Sequence, residues 1–199
     1  MLFKNPVRLL KGKKIGLNKG SNVHYLLVRA LEKAGLKYSD VEPAFLPPVE
    51  GRAAFEKGII DAWVIWEPYR TAAEMSVGAR TLADGTGLVS NNDFFFVAKP
   101  FALAHQQLID LVLRATRDVF AQAAMDIPGT AKTFSAAAGF PVTVLEATLS
   151  HRGFDVQPIS SEVIDEQQRI ADTFKEIGLI PATIKVSDAV ACPDSSDHG

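Results

Sequence analysis

Lys11-Gly-Lys-Lys-Ile-Gly-Leu-Asn-Lys-Gly-Ser-Asn-Val-His24 carries a short apolar strand through Asn18, Lys19 and Gly20 directly into the start of a helix. The first N–H groups of a helix have no partners inside it, so a strand-to-helix junction of this kind can hold an anion. Gly20 lets a ligand approach the main chain closely, and Ser21 places a hydroxyl at a favoured capping position. Asn18, Lys19, Gly20 and Ser21 therefore read as an oxyanion cradle. Gly-Ser turns are common and most bind nothing, so the reading depends on what surrounds this one.

Outward from the junction, residues 13–98 alternate between strand and helix signals. Five strands are expected, at Lys13–Leu17, Val41–Leu46, Asp61–Trp66, Ala79–Leu82 and Asp93–Ala98. The third and fifth are nearly continuous apolar runs, the pattern of strands buried on both faces. A helix from Asn22 to about Ala34 sets Leu26, Leu27, Ala30, Leu31 and Ala34 on one face and ends at Gly35. A second helix is expected from Val49 to Lys57, and a third begins at Pro68, where proline suits the first turn. This alternation predicts an α/β lobe with a mostly parallel five-stranded sheet.

After Lys99-Pro100 the pattern changes. Leu108, Leu111, Val112, Ala115, Val119 and Ala123 recur at helical spacing and predict a long amphipathic helix over about Gln106–Ala124. Further helices fit Gly129–Ala138, Val142–Ser150 and Ser160–Ile177. Amphipathic helices need a surface to cover, so a helical half with no sheet of its own implies a helical subdomain or a surface supplied from elsewhere. The polar end of the chain, with Pro193 and two serines after Cys192, reads as a disordered tail.

Composition narrows the function classes. The chain has 199 residues, is 47% hydrophobic, and has a formal net charge of −2 from 21 basic and 23 acidic residues. That balance favours neither nucleic acid nor an anionic membrane as a partner, so any anion has to be attracted locally. Cys192 is the one cysteine, which excludes an internal disulfide and a cysteine-built metal site. The opening Met-Leu-Phe-Lys-Asn-Pro lacks the apolar core of a secretory signal, and no transmembrane run is present. On these residues the chain is expected to be soluble with no export address.

Trp66-Glu67-Pro68-Tyr69 falls at the C-terminal end of an expected central strand, where open α/β sheets place their ligands. Trp66 and Tyr69 could wall an alkyl chain, with Glu67 orienting loop amides or closing a lid. Strand alternation separates Trp63 from Trp66, and assigns Trp63 to packing. Ser90-Asn91-Asn92-Asp93 offers polar groups to a ligand, Asn91 among them, although such a run is more often a turn. His24 is expected to be solvated or to cap the helix, since no nucleophile or acid is poised beside it. No pair of histidines has metal-ligand spacing. Neither a nucleophile elbow nor a Walker A loop nor a Gly-x-Gly-x-x-Gly is present, which favours binding without turnover and no cofactor.

In order along the chain, Lys11-Gly-Lys-Lys-Ile-Gly, Lys19-Gly-Ser-Asn-Val-His-Tyr-Leu-Leu27, Leu31-Glu-Lys-Ala-Gly-Leu36, Arg52-Ala-Ala-Phe55, Gly58-Ile-Ile-Asp-Ala-Trp63, Trp66-Glu-Pro-Tyr69 and Arg80-Thr-Leu-Ala-Asp-Gly85 resemble the aliphatic sulfonate-binding proteins of ABC importers. Glu166-Gln-Gln168 and Leu179-Ile-Pro181 fit the same family's C-terminal helix and exit. The resemblance implies a type II periplasmic-binding-protein fold shared with nitrate, taurine and thiamine-precursor binders. In that fold a small anion is clamped between two lobes before docking on a membrane permease. It implies that residues 1–11 form an N-terminal hinge segment, 12–93 the ligand-binding second lobe and 94–99 a hinge strand. Residues 100–188 would then be helices of an incomplete first lobe, and 189–199 the tail. Ser21 and its neighbouring amides match the sulfonate-binding helix start, and Trp66 the aromatic lining of the cleft. A periplasmic location follows by resemblance, and a cytoplasmic one if this sequence is the whole product.

The family begins with a signal peptide and a segment that builds the first lobe's sheet, and this sequence shows neither. Two other readings follow. The chain could be a non-binding remnant, or two copies could pair through the exposed first-lobe helices. An enzymatic reading through the related pyrimidine-precursor synthases fails on motifs, because their histidine site and cysteine-rich segment are not found here.

Overall fold

The computed structural model describes residues 6–190. A 3₁₀ turn (Pro6–Leu10) leads into β1 (Lys14–Leu17), α1 (Asn22–Lys33), a second 3₁₀ turn (Tyr38–Asp40), β2 (Glu42–Phe45), α2 (Pro48–Glu56), β3 (Ala62–Trp63) and α3 (Tyr69–Val77). An irregular stretch then precedes α4 (Lys99–Ala104), α5 (Gln106–Met125), α6 (Ile127–Ala138), α7 (Val142–Ser150), α8 (Ser161–Glu176) and a 3₁₀ turn (Val186–Ala189).

The sheet has order β2-β1-β3, and both pairings are parallel. Lys14 stands opposite Glu42 and Leu17 opposite Phe45, while Ile15 and Gly16 stand opposite Ala62 and Trp63. Alternation along β1 sends its side chains to two faces. Ile15 and Leu17 are fully buried in a cluster with Val23, Leu27, Ala30 and Leu31 of α1, closed at the edges by Val7, Leu10, Ala34 and Val41. On the other face Gly16 leaves room for Ile60 and Trp63, and an added methyl there would collide with the Ile60 side chain. Trp63 in turn lies against Gly51 of α2, where a Cβ would come within 2.7 Å of the indole nitrogen. Helices thus cover both faces, as a parallel sheet requires.

α1 begins and ends where the residue pattern places it. Gly35 follows the helix at φ 75°, a conformation that glycine adopts without penalty, and Leu36 N–H returns to Leu31 O at 2.9 Å.

The expected five-stranded sheet is corrected to three strands. A strand needs a neighbour for its N–H and C=O groups, and apolar character alone does not supply one. Residues 93–98 take no regular structure and pair with no strand among the described residues, and Phe95 and Phe96 are 61% and 89% exposed. Residues 79–82 are irregular: Thr81 bonds to Glu74 and Leu82 packs against the core cluster. β3 is cut to two residues, although Val64 N–H still reaches Gly16 O at 2.9 Å.

The helices of the second half match expectation closely, and α7 spans the expected residues. α5 buries none of its residues, and Leu108, Leu111, Val112 and Val119 are exposed along it. This half meets the α/β part mainly through α7 on α3 and α8 on α1. At the second contact the Phe174 ring sits 5.7 Å from His24 and 6.4 Å from Tyr25. From residue 191 the expected tail, Cys192 included, lies outside the described residues, as do residues 1–5. No helix among the described residues is long and apolar enough to cross a membrane.

Candidate functional site

The β1–α1 junction is built by a change of handedness. Lys19-Gly20 turns the chain at the end of β1, and Gly20 takes φ 71°, which only glycine adopts freely. Ser21, at φ −100° and ψ 177°, is the N-cap of α1, yet its hydroxyl makes no capping bond. It donates instead to Asn18 O at 2.9 Å and closes the loop on itself. The cap comes from Asn22, whose Oδ1 accepts the Val23 N–H at 2.9 Å.

The four expected cradle residues are therefore brought together, with one change in which amides are free. Gly20 N–H is not open to a ligand, because it donates to His24 Nδ1 at 3.1 Å. The main-chain N–H groups of Ser21 and Asn22 have no acceptor among the described residues. They stand at the positive end of α1, where unpaired donors and the helix dipole favour an anion. Lys19 is exposed beside them with its ammonium 5.3 Å from the Phe45 ring centroid, a cation–π distance.

His24 is a residue whose role composition does not reveal. Of the two expected roles, a solvated ring and a cap, the structure corrects the first: His24 is fully buried, ringed by Tyr38, Phe45 and Phe174 with centroids 5.2–5.7 Å away, while its bond to the Gly20 N–H serves the helix start. Its Nε2 lies 2.7 Å from Tyr38 Oη. Burial, assisted by the nearby Lys19 charge, pushes its pKa down to about 4, so at neutral pH the ring is uncharged. Burial also pushes the Tyr38 phenol up. The sequence does hold a signal for this role. His24 is the third residue of α1, where side chains reach back to the preceding turn in capping boxes.

Asn91 joins the cradle from the other side. Its backbone is left-handed at φ 55°, and its Oδ1 accepts from Asn22 Nδ2 at 2.6 Å, across 69 residues of sequence. The loop that presents it is tied to α8, where Glu166 accepts both Ser90 N–H, at 3.0 Å, and the Ser90 hydroxyl. Nothing in the local sequence around Glu166 foreshadows that tie.

The Trp66-Glu67-Pro68-Tyr69 turn is engaged by the protein itself. Trp66 packs against the core cluster and keeps part of its surface open. Tyr69 makes edge contacts with Trp63 at 6.1 Å and Phe140 at 5.1 Å. Glu67 pairs with Arg70 and accepts the Thr71 N–H at 3.1 Å, so its carboxylate caps α3 rather than standing free. Replacing Glu67 by alanine would leave the buried Thr71 amide unpaired, and is expected to cost about 1 kcal/mol of unfolding free energy in urea titrations. Among the described residues no group of three or more histidine, cysteine, aspartate and glutamate side chains could hold a metal ion.

Comparison with known proteins gives this arrangement a context. The model of the NMT1-like family matches residues 2–138. A curated relative from Escherichia coli (strain K12), named as an aliphatic sulfonates-binding protein, is 39% identical over 189 residues, 92% of this chain and 58% of its own length. The solved periplasmic aliphatic sulphonate binding protein SsuA from Escherichia coli superposes with a TM-score of 0.90 at 35% identity, over 100% of this chain and 65% of that one. The alkanesulfonate-binding protein SsuA from Xanthomonas axonopodis pv. citri, solved bound to MOPS, gives 0.87 at 39% identity over 94% and 65%. The chain thus spans less than two thirds of the length of each, and its fold is the α/β fold of a periplasmic binding protein. By the extent of the family match and the agreement of the solved neighbours, the chain belongs to the NMT1-like family, several of whose members similar to it are named for binding sulfonates.

Proposed function

We propose that this chain is the sulfonate-binding lobe, with part of the adjoining lobe, of a solute-binding component of an ABC importer. The observation that carries the reading is the pair of unpartnered amides on Ser21 and Asn22 at the start of α1. A sulfonate has three acceptor oxygens and one negative charge, and two adjacent unpartnered N–H donors at a positive helix end complement both. Lys19 adds attraction without a fixed contact, and Asn91 limits the cradle on its far side. The open part of Trp66 offers apolar surface to the alkyl chain, with Asn18, Gly20, Glu67 and Tyr69 shaping the wall.

Residues 12–93 serve as the second lobe in this reading, 94–99 as the hinge strand and 100–188 as helices of the first lobe. The partner is an ABC permease and the working location the periplasm, in line with relatives whose names place them there. MOPS, itself a sulfonate, is the bound molecule of one solved neighbour, and taurine is named for another relative. Binding followed by release, with no bond made or broken, is the whole of the chemistry.

Isothermal titration of the folded chain with MOPS, methanesulfonate, taurine, sulfate and nitrate tests the reading. Saturable heat with the sulfonates, and less with nitrate, is the expected result; no heat with any of the five would remove it.

The apolar residues exposed on α5 support a second reading about assembly, in which two copies cover that face for each other. A sedimentation-velocity run on the titration sample separates the two states, and a monomer at all concentrations would rule out pairing.

A further inference from the structure

We propose that His24 is the positioning residue of the β1–α1 loop: by accepting the Gly20 N–H on Nδ1 it fixes the turn and leaves the Ser21 and Asn22 amides as the ligand donors. The inference rests on the sulfonate reading for its consequence, but not for its geometry.

A fully buried imidazole with both nitrogens engaged has only one neutral arrangement available. Gly20 N–H can only donate, so Nδ1 must carry a lone pair, and the ring proton sits on Nε2. Nε2–H then donates to Tyr38 Oη at 2.7 Å. The Gly20 amide selects the tautomer, and the Tyr38 hydroxyl, which can donate or accept, completes it and holds the ring in place. The remaining groups against the ring are Phe45 at the end of β2 and Phe174 of α8, neither of which titrates. The charged group nearby is Lys19, on the loop itself. Three elements distant in sequence therefore hold one side chain in one orientation, and that side chain holds one turn.

The turn has to be held. Gly20 is exposed, its backbone is left-handed, and a Cβ there would meet nothing within 4 Å, so packing does not confine it. Without an acceptor at Nδ1 the Gly20 amide is free to rotate, and the Ser21 and Asn22 donors that follow it in the turn lose their fixed setting. Positioning of donors is what separates a preorganised anion site from a solvated helix end.

The test compares the wild type with His24→Leu, which removes the acceptor, and His24→Asn, whose Oδ1 occupies the place of Nδ1. Amide exchange followed by NMR is expected to be at least tenfold slower at Gly20 in the wild type and the asparagine variant than in the leucine variant. MOPS affinity is expected to fall about tenfold in His24→Leu and to recover to within about threefold in His24→Asn. Equal Gly20 exchange in all three proteins, or wild-type affinity in the leucine variant, would overturn the proposal. Should the leucine variant not fold, the imidazole ¹⁵N resonances of the unmodified protein decide. A hydrogen-bonded, unprotonated Nδ1 upholds the clamp, and a protonated Nδ1 overturns it. Slow exchange at Gly20 in a wild type that takes no MOPS would sink the sulfonate reading and uphold the clamp.

Discussion

Leu31→Ala is expected to cost about 2–5 kcal/mol of unfolding free energy, the range for a buried leucine truncated in a well-packed core. Leu31 is fully buried on the face of α1 that covers β1, in the cluster with Ile15, Leu17 and Leu27. That cluster holds most of the fully buried large side chains, whereas α5 buries none of its residues. A cavity there cannot be filled by collapse from the sheet side, because Ile15 and Leu17 are held by ladder bonds to β2 and β3. Against a typical domain stability of about 5–15 kcal/mol this is a large fraction. Urea denaturation of wild type and variant measures it; a midpoint unchanged by the substitution would mean that the core does not lie where this packing puts it.

Acidification is expected to weaken the fold through His24 as pH falls from about 6.5 toward 4. His24 titrates near its ordinary 6.5 in the unfolded chain and at about 4 in the native state, where burial disfavours the charged ring. Between those values the unfolded chain holds a proton that the native chain does not, so stability is complete above about 6.5 and falls as pH drops toward 4. The loss between pH 7.5 and 4.5 is about 2–3 kcal/mol for a ring this buried. Asp40 and Asp61 are held below the ordinary carboxylate value of 3.8 by main-chain hydrogen bonds, so their contributions are lost only at still lower pH. Urea midpoints at pH 7.5 and 4.5 separate the two windows. The same midpoint at both would show that the native ring takes its proton as easily as the unfolded one.

The two predictions concern the same short region, and that region was the most legible part of the chain. Apolar spacing gave α1, α5 and α7 nearly residue by residue, because helical periodicity and its end signals are local. β1 and β2 were legible for the same reason. Strands differ in that a ladder needs a partner, and residues 93–98 show the consequence: their apolar run has the character of a buried strand and no strand beside it. At the site, the turn Asn18–Ser21 was readable from Gly20 and the helix start, but the allocation of its amides was not. Gly20 N–H is claimed by His24 because Tyr38, Phe45 and Phe174 bury that ring, and each of these arrives from a different element. The Asn22–Asn91 bond and the Glu166–Ser90 tie likewise span 69 and 76 residues and leave no mark on local pattern.

The central claim is that main-chain donors at the start of α1 hold the anion, and Asn22→Pro tests it with little disturbance to the helix. Proline is at home in the first helical position, and Ser21 already has the extended backbone that a following proline requires. The substitution deletes one N–H together with the side chain that bonds Val23 and Asn91, and Asn22→Ala serves as the reference that loses the side chain but keeps the amide. Calorimetric titration with MOPS should give binding in the wild type, a partial loss in the alanine variant, which gives up the Asn22 bonds to Val23 and Asn91, and at least a further tenfold loss in the proline variant. Equal affinity in the proline and alanine variants would contradict the claim.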